Sequence, residues 1–415
     1  MRTRPTSSDR HCSRMFVSAV ALAAVVFAAG CGSDSGSDGD EDYTDGTWDS
    51  ALTPEDAVLD ETLTAADENS DDDVDEELDP TEAEDDDDAA ESASVASEDD
   101  SQTLDEGSLT VESSGPKTYR NAVLSSCADP GTIKLGEDSY LTSCTGNGYP
   151  LFRSTDLVHW SDAGHIFTAK TRPGWAKGNY WAPEIHHVGS RLVAYFAALS
   201  AKTGKMCIGA APMEAGKFKD IGRPLLCNSH VGLIDPNVFT DGSGRHFLYF
   251  KTDSNALRPQ EPTVIYGHQL GADGVSFKPG KSKALIRNRL GWEGDVVEAP
   301  WMMQRGKYTY MFYSGFTYCN GSYAVGVARA TSPLGTFHKK GAPILRTNAG
   351  WYGPGHNSVT TRDGHDYIVY HAWKGKHSCS DKGEHRELLV DRIAWKNGWP
   401  SVNNGTPSRT ARPLP

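Results

Sequence analysis

From about residue 116 onward the chain falls into short runs in which apolar and aromatic positions are packed between polar ones and broken at Gly, Asp or Asn. Runs of this length bounded by turn formers predict β-strands, and helical periodicity is almost absent. Five segments share one shape: a short polar or acidic opening, an apolar strand, a Gly or Asp turn, then a second strand rich in Tyr, Phe and Val. They read "ADPGTIKLGEDSYLTSC", "WAPEIHHVGSRLVAYFAAL", "IDPNVFTDGSGRHFLYFKTD", "VEAPWMMQRGKYTYMFYSG" and "GHNSVTTRDGHDYIVYHAW". Each is followed by another strand pattern, such as "KMCIGAAPM" or "YAVGVARATS". The polar residues opening the five units, Asp129, Glu184, Asp235, Glu298 and His356, are spaced by 55, 51, 63 and 58 residues. Repeats of this length with about four strands each predict an all-β protein, a five-bladed β-propeller.

In a propeller the first strand of each blade lies nearest the central axis, so a polar residue opening that strand points into the central cavity. Any one of the five could simply bond backbone groups at a strand end; five in register predict one pocket in which carboxyl groups sit in unusual environments. Asp129 and Asp235 each precede a proline, which is expected to bias the Asp toward an extended backbone. Glu298 is flanked by Val296, Val297, Ala299 and Trp301, an apolar setting expected to disfavour its ionised form.

Charge divides the chain into three parts. Residues 1–31 carry four arginines and then the apolar run "MFVSAVALAAVVFAAG", the shape of a secretory signal and shorter than the roughly 20 residues of a membrane-spanning helix. Ala29 and Gly30 before Cys31 resemble the lipobox of bacterial lipoproteins, which implies a lipid-modified Cys31 and anchoring at the outer cell surface; an ordinary secreted chain with a stray cysteine is the alternative. Residues 32–115 hold 33 of the 56 acidic residues and no Lys or Arg. Such a segment cannot bury enough apolar surface to order itself and is expected to be an extended, disordered spacer, with calcium capture by its Asp runs as the alternative. Residues 116–415 hold 36 Lys and Arg against 22 Asp and Glu. This basic domain suits anionic glycans or the cell envelope, or its own acidic spacer; export and the lack of a clustered Lys/Arg run argue against nucleic acid.

The motifs resemble those of glycoside hydrolase family 43 from about Cys127 to Pro400: "ADPG", "STDLVHW", "YWAPEI", "IDPNVF", "VEAPW", "GPGHNS" and "IAWKNGWP" occur in that family's order. The resemblance implies an inverting glycosidase acting on α-L-arabinofuranosyl units of plant or envelope polysaccharide, with β-xylosidase or endo-arabinanase action as nearest alternatives and a non-catalytic glycan-binding propeller as the rival. Inversion needs one carboxylate to activate water and one carboxylic acid to protonate the leaving oxygen. By motif, Asp129 becomes the general base, Glu298 the general acid and Asp235 the residue that orients the acid and raises its pKa. His356 falls where related propellers face a central cation, often calcium, although calcium prefers oxygen ligands, and otherwise no cofactor is required. Arg386 falls where an arginine contacts sugar hydroxyls, with an ion pair as the alternative. Glu184 reads as a supporting residue and Trp181 as pocket wall or core; Tyr180, Trp301, Phe316 and Trp351 are candidate faces for a sugar ring. The chain is expected to act as a monomer.

Six cysteines follow Cys31, an even number in an exported chain, which suggests disulfides with fifteen possible connectivities. Neighbouring strands favour Cys127 with Cys144 and Cys207 with Cys227, leaving Cys319 with Cys379. No zinc-type Cys/His spacing appears.

Overall fold

The computed structural model describes residues 59–60, 117–381 and 385–415. The signal-like segment with Cys31, and all of the acidic stretch except Leu59 and Asp60, lie outside the described residues. Leu59–Asp60 pairs in parallel with Ser282 and Lys283.

The expected five-bladed propeller is present. Blade I comprises Gly131–Gly136, Ser139–Ser143, Pro150–Ser154 and Trp160–His165; blade II comprises Trp181–Val188, Arg191–Leu199, Met206–Glu214 and Lys217–Phe218. Blade III is built from Leu233–Thr240, His246–Thr252, Val264–Gln269 and Ser282–Arg287, and blade IV from Val297–Arg305, Tyr308–Gly315, Ala324–Ala330 and His338–Lys339. Blade V has Trp351–Arg362, His365–Lys374 and Arg386–Arg392. Within each blade the strands pair antiparallel in chain order from the inner strand outward.

Both faces of each blade are covered by its neighbours, so second strands such as "RLVAYFAAL" are apolar throughout rather than alternating. The strand period of two still decides which neighbour each side chain meets. Phe196 joins Tyr149 and Phe167 toward blade I, while the adjacent Tyr195 joins Val238 and Leu248 toward blade III. Phe247 and Tyr249 pack with Met311 and Tyr313 of blade IV, whereas Leu248 and Phe250 face blade II. Each fully buried ring contributes roughly 1.5–3 kcal/mol.

Four inner strands carry a β-bulge near their start, between Trp181 and Glu184, Ile234 and Asn237, Glu298 and Trp301, and Gly355 and Ser358. Inside the bulges Ala182, Asp235, Ala299 and His356 take φ of 43°, 55°, 55° and 45°, and Asp129 of blade I takes 53°. The true equivalents across blades are therefore Asp129, Ala182, Asp235, Ala299 and His356. Glu184 lies two residues after this position and Glu298 one before it, which corrects the register read from the sequence. The backbone at Asp129 and Asp235 is left-handed rather than extended, a conformation that costs about 1–3 kcal/mol for a non-glycine residue and that Asp tolerates better than most.

The ring closes through the N-terminal segment. Val123 N–H donates to Leu388 O, Leu388 N–H to Leu124 O and Cys127 N–H to Arg386 O, at 2.9, 2.8 and 3.0 Å. The Asn121 side chain extends this ladder like a peptide unit, giving Nδ2 to Val390 O and accepting Val390 N–H, both at 2.9 Å. All three expected disulfides are present: Cys127–Cys144 ties the closing segment to blade I, Cys207–Cys227 stays within blade II, and Cys319–Cys379 joins loops of blades IV and V.

A buried polar cluster joins blades II, III and IV. Glu184 Oε2 accepts from Asn237 Nδ2 at 2.6 Å and lies 2.9 Å from His186 Nε2, and Asn237 Oδ1 accepts the Met302 N–H at 3.1 Å. Burial pushes Glu184 up to about 8, against the pull of Asn237 and of the His356 charge, and burial drives His186 down to about 3. Near neutrality the pair is therefore uncharged, with the Glu184 carboxyl O–H donating to the imidazole. Because the folded pKa exceeds the ordinary 4.5, this group stabilises the fold fully below about 4.5 and that contribution is lost as pH rises through about 8. Denaturant unfolding between pH 5 and pH 8 should show the wild type losing stability relative to Glu184→Gln, by up to about 1.4 kcal/mol per pH unit; parallel curves would show that Glu184 is not protonated in the fold.

Candidate active site

The inner-strand starts converge on a cavity of about 330 Å³ at one end of the axis, lined by Asp129, Asp235, Lys251, Glu298, His356 and Arg386 among others. Asp129 is fixed on every side. Its Oδ1 accepts from Arg386 Nη1 at 2.5 Å, its Oδ2 accepts from Thr145 Oγ1 at 2.6 Å, and its own N–H donates to His371 Nδ1 at 3.1 Å. That last bond makes Nδ1 an acceptor and places the His371 proton on Nε2. Burial works against the charge of Asp129, but Arg386 and His356, with the Thr145 hydrogen bond, overcome it and hold the carboxyl well below the usual range. Gly131 of "ADPG" permits the close approach of blades I and II, since a Cβ there would lie 2.5 Å from Pro183 O.

Asp235 accepts the Ala299 N–H on Oδ2 at 3.0 Å, so a bulge amide of blade IV holds a carboxylate of blade III. Burial raises its pKa; the charges of Glu298 and Asp129 push the same way, and those of His356 and Lys251 oppose. Glu298 accepts from Tyr323 Oη on Oε1 and from Lys251 Nζ on Oε2, both at 2.8 Å. Its immediate partners are thus a phenol and an ammonium, not the apolar neighbours read from the sequence. Tyr323 reaches it across Gly355, where a side chain would overlap the tyrosine ring.

Lys251, Thr145, Tyr323 and Tyr318 were not singled out by sequence reasoning. Lys251 did carry a signal of the kind that marks Glu298, a charge inside the apolar run "HFLYFKTD". It continues the row Phe247, Tyr249, Lys251 on the face of blade III toward blade IV. Tyr318 gave no signal in its loop, yet its ring lies 4.7 Å beneath the Arg386 guanidinium. Trp181 and Tyr318 are the large hydrophobic residues left exposed among the described residues, at 37% and 46%, and both line the pocket.

Trp301, expected as a sugar platform, lies elsewhere. It is buried against the His186 ring at 5.7 Å and lines a cavity that His187, Thr132 and Thr360 also border. Ala299 and Pro300 together oppose one residue of the partner strand, and Trp301 beyond them lines this second cavity rather than the pocket of Glu298. Trp351 is buried in the core and Tyr180 packs on Tyr149 at 5.4 Å, leaving neither in the pocket wall; Phe316 does not line it either. Arg386 meets the expectation of an ion pair. His356 places Nδ1 3.3 Å from Asp129 Oδ1 and gives its N–H to Ser314 Oγ at 2.8 Å. Among the described residues no three His, Cys, Asp or Glu are grouped to hold a metal ion, and His356 itself offers an imidazole where calcium prefers oxygen.

The sequence pattern of Glycosyl hydrolases family 43 matches residues 119–400. An extracellular exo-α-(1→5)-L-arabinofuranosidase of Cellvibrio japonicus is 26% identical over 315 residues, which cover 66% of this chain and 86% of that protein. A β-D-galactofuranosidase of Aspergillus niger is 34% identical over 264 residues, 59% of this chain and 71% of that protein. Among solved structures, a thermostable family-43 glycoside hydrolase superposes with a TM-score of 0.65 at 28% identity, covering 72% of this chain and 99% of its own. Because the match runs from Tyr119, ahead of blade I, to Pro400, beyond the last strand of blade V, and so takes in every blade, the chain belongs to glycosyl hydrolases family 43 and is a glycoside hydrolase.

Proposed function

We propose that the protein removes α-L-arabinofuranosyl units from polysaccharide or oligosaccharide with inversion of configuration. Asp129 serves as general base, Glu298 as general acid, and Asp235 sets the state of the acid. The observation that carries this reading is the contrast between carboxyl environments in one pocket. Asp129 is held ionised by Arg386, so it can orient and deprotonate a water. Asp235 is raised by burial and close enough to feel the charge of Glu298, and neighbouring carboxyls share protons rather than ionise together. A proton is thereby kept for the leaving oxygen. Trp181 and Tyr318 offer apolar ring faces at the mouth for the C–H side of a furanose.

The relative named as an exo-arabinofuranosidase supports arabinose as the sugar. A second reading, β-D-galactofuranoside hydrolysis, is favoured by the 34% identical relative of that name; both substrates are furanosides. We further propose that the protein works outside the cell, held at the membrane by a lipid on Cys31.

Hydrolysis of aryl α-L-arabinofuranoside, aryl β-D-galactofuranoside and arabinan should identify the sugar. Asp129→Asn should abolish turnover of every substrate. Glu298→Gln should cost about 10²–10⁴-fold on arabinan and much less on an aryl glycoside whose leaving group needs no proton. NMR of the first product should show the inverted anomer; a retained anomer would overturn the base role of Asp129. For the anchor, wild type should fractionate with membranes and Cys31→Ser should appear in the medium; a wild type found in the medium would favour ordinary secretion.

A further inference from the structure

Lys251 raises a problem for any acid role of Glu298, and its surroundings contain a solution. The lysine side chain is 1% exposed and its Nζ lies 2.8 Å from Glu298 Oε2. An ammonium so placed cannot fall back on water, and an unpaired buried charge is costly. Glu298 nevertheless has to hold a proton at the start of each turnover. A second carboxylate oxygen, Asp253 Oδ1, stands 3.8 Å from Nζ, on a side chain 13% exposed in the wall of the same pocket.

We propose that Asp253 is a positioning residue, the alternate anion for Lys251: the ammonium pairs with Glu298 when that carboxyl is ionised and moves to Asp253 when Glu298 is protonated. This rests on Glu298 being the general acid. In one cycle Glu298 gives its proton to the leaving oxygen while Asp129 takes one from the attacking water. Afterwards Asp129 releases a proton to solvent and Glu298 recovers one, so the count balances, and the lysine follows the charge.

The groups facing this switch come from several blades. Asp235 and Asp253 flank Lys251 on blade III, Glu298 and Tyr323 face it from blade IV, and Asp129, His356 and Arg386 complete the pocket from blades I and V. Burial raises the Asp253 carboxyl and the Lys251 charge pulls it back, so arrival of the ammonium relieves that strain. The Asp253 backbone is fixed independently, its N–H donating to Gly232 O at 2.7 Å and its carbonyl accepting the Ala256 N–H at 3.1 Å. Asp253→Asn thus changes charge with little change of shape.

Two measurements test the proposal. In a crystal structure of the Glu298→Gln protein, where position 298 is neutral, Nζ should lie within about 3 Å of the Asp253 carboxylate; an Nζ still resting on the side chain at 298, with Asp253 at its present distance, overturns it. This readout needs no turnover and so stands apart from the proposed function. In kinetics, Asp253→Asn should move the alkaline limb of kcat/KM down by about one pH unit, and the same substitution made in a Lys251→Met background should move it far less. An unmoved limb, or an equal shift without the lysine, refutes the coupling even if the glycosidase reading holds. Loss of all activity in the wild type would refute that reading while leaving the crystallographic test intact.

Discussion

The pocket depends on hydrogen bonds that the inner strands give up. Where each strand bulges to aim a side chain at the axis, backbone N–H groups leave the ladder while remaining buried, and each would cost about 1–3 kcal/mol if left unpaired. Side chains take them: His371 for Asp129, Thr145 for Ala182, Asp235 for Ala299 and Ser314 for His356. Two of these acceptors belong to the site itself. Thr145 takes the Ala182 amide while donating to Asp129, and Asp235 takes the Ala299 amide beside Glu298. The bonds that let the bulges exist are the bonds that place the carboxyls, so fold and chemistry cannot be tuned separately here.

The second layer is electrostatic. Two cations enter the pocket from different blades, Arg386 from blade V against Asp129 and Lys251 from blade III against Glu298. Each serves its own side of the pocket: Arg386 lies over the Tyr318 ring beside Asp129, and Lys251 lies in the interface between blades III and IV, within reach of Glu298 and Asp253. Two aspartates of one small cavity thus differ in proton affinity, Asp129 lowered beside Arg386 and Asp235 raised by burial.

The repeat, the blade count, the axial carboxyls and the three disulfides were legible in the sequence because they depend on order and spacing along the chain. What the sequence hid begins at the bulges. Nearness to Glu298 in "VEAPW" made Trp301 a candidate sugar face, although the two line different cavities. Spacing alone made Glu184 and Glu298 look equivalent to Asp129 and Asp235, when Ala182 and Ala299 hold that place in the bulges. The Lys251 to Glu298 contact was hidden for another reason, since it crosses between blades and no spacing within a repeat encodes it. Tyr318 depends on a loop held by Cys319–Cys379 and by the Trp373 Nε1 donation to its carbonyl.

Closing the ring with the N-terminal segment also fixes an order of events during folding. Residues 118–127 leave the ribosome before any blade, yet their partners, Arg386 to Val390 and Arg412–Pro413, are made only after the first four blades. Pairings separated by some 270 residues carry a high loop-closure cost and form slowly. Blade V has an open edge until the segment at residues 123–127 docks on it, an exposed template for mispairing. The Cys127–Cys144 bridge spans only 17 residues and can form as soon as blade I exists. In an oxidising compartment it parks the closing segment beside blade I, converting a search across the whole chain into the docking of one edge that is already in place.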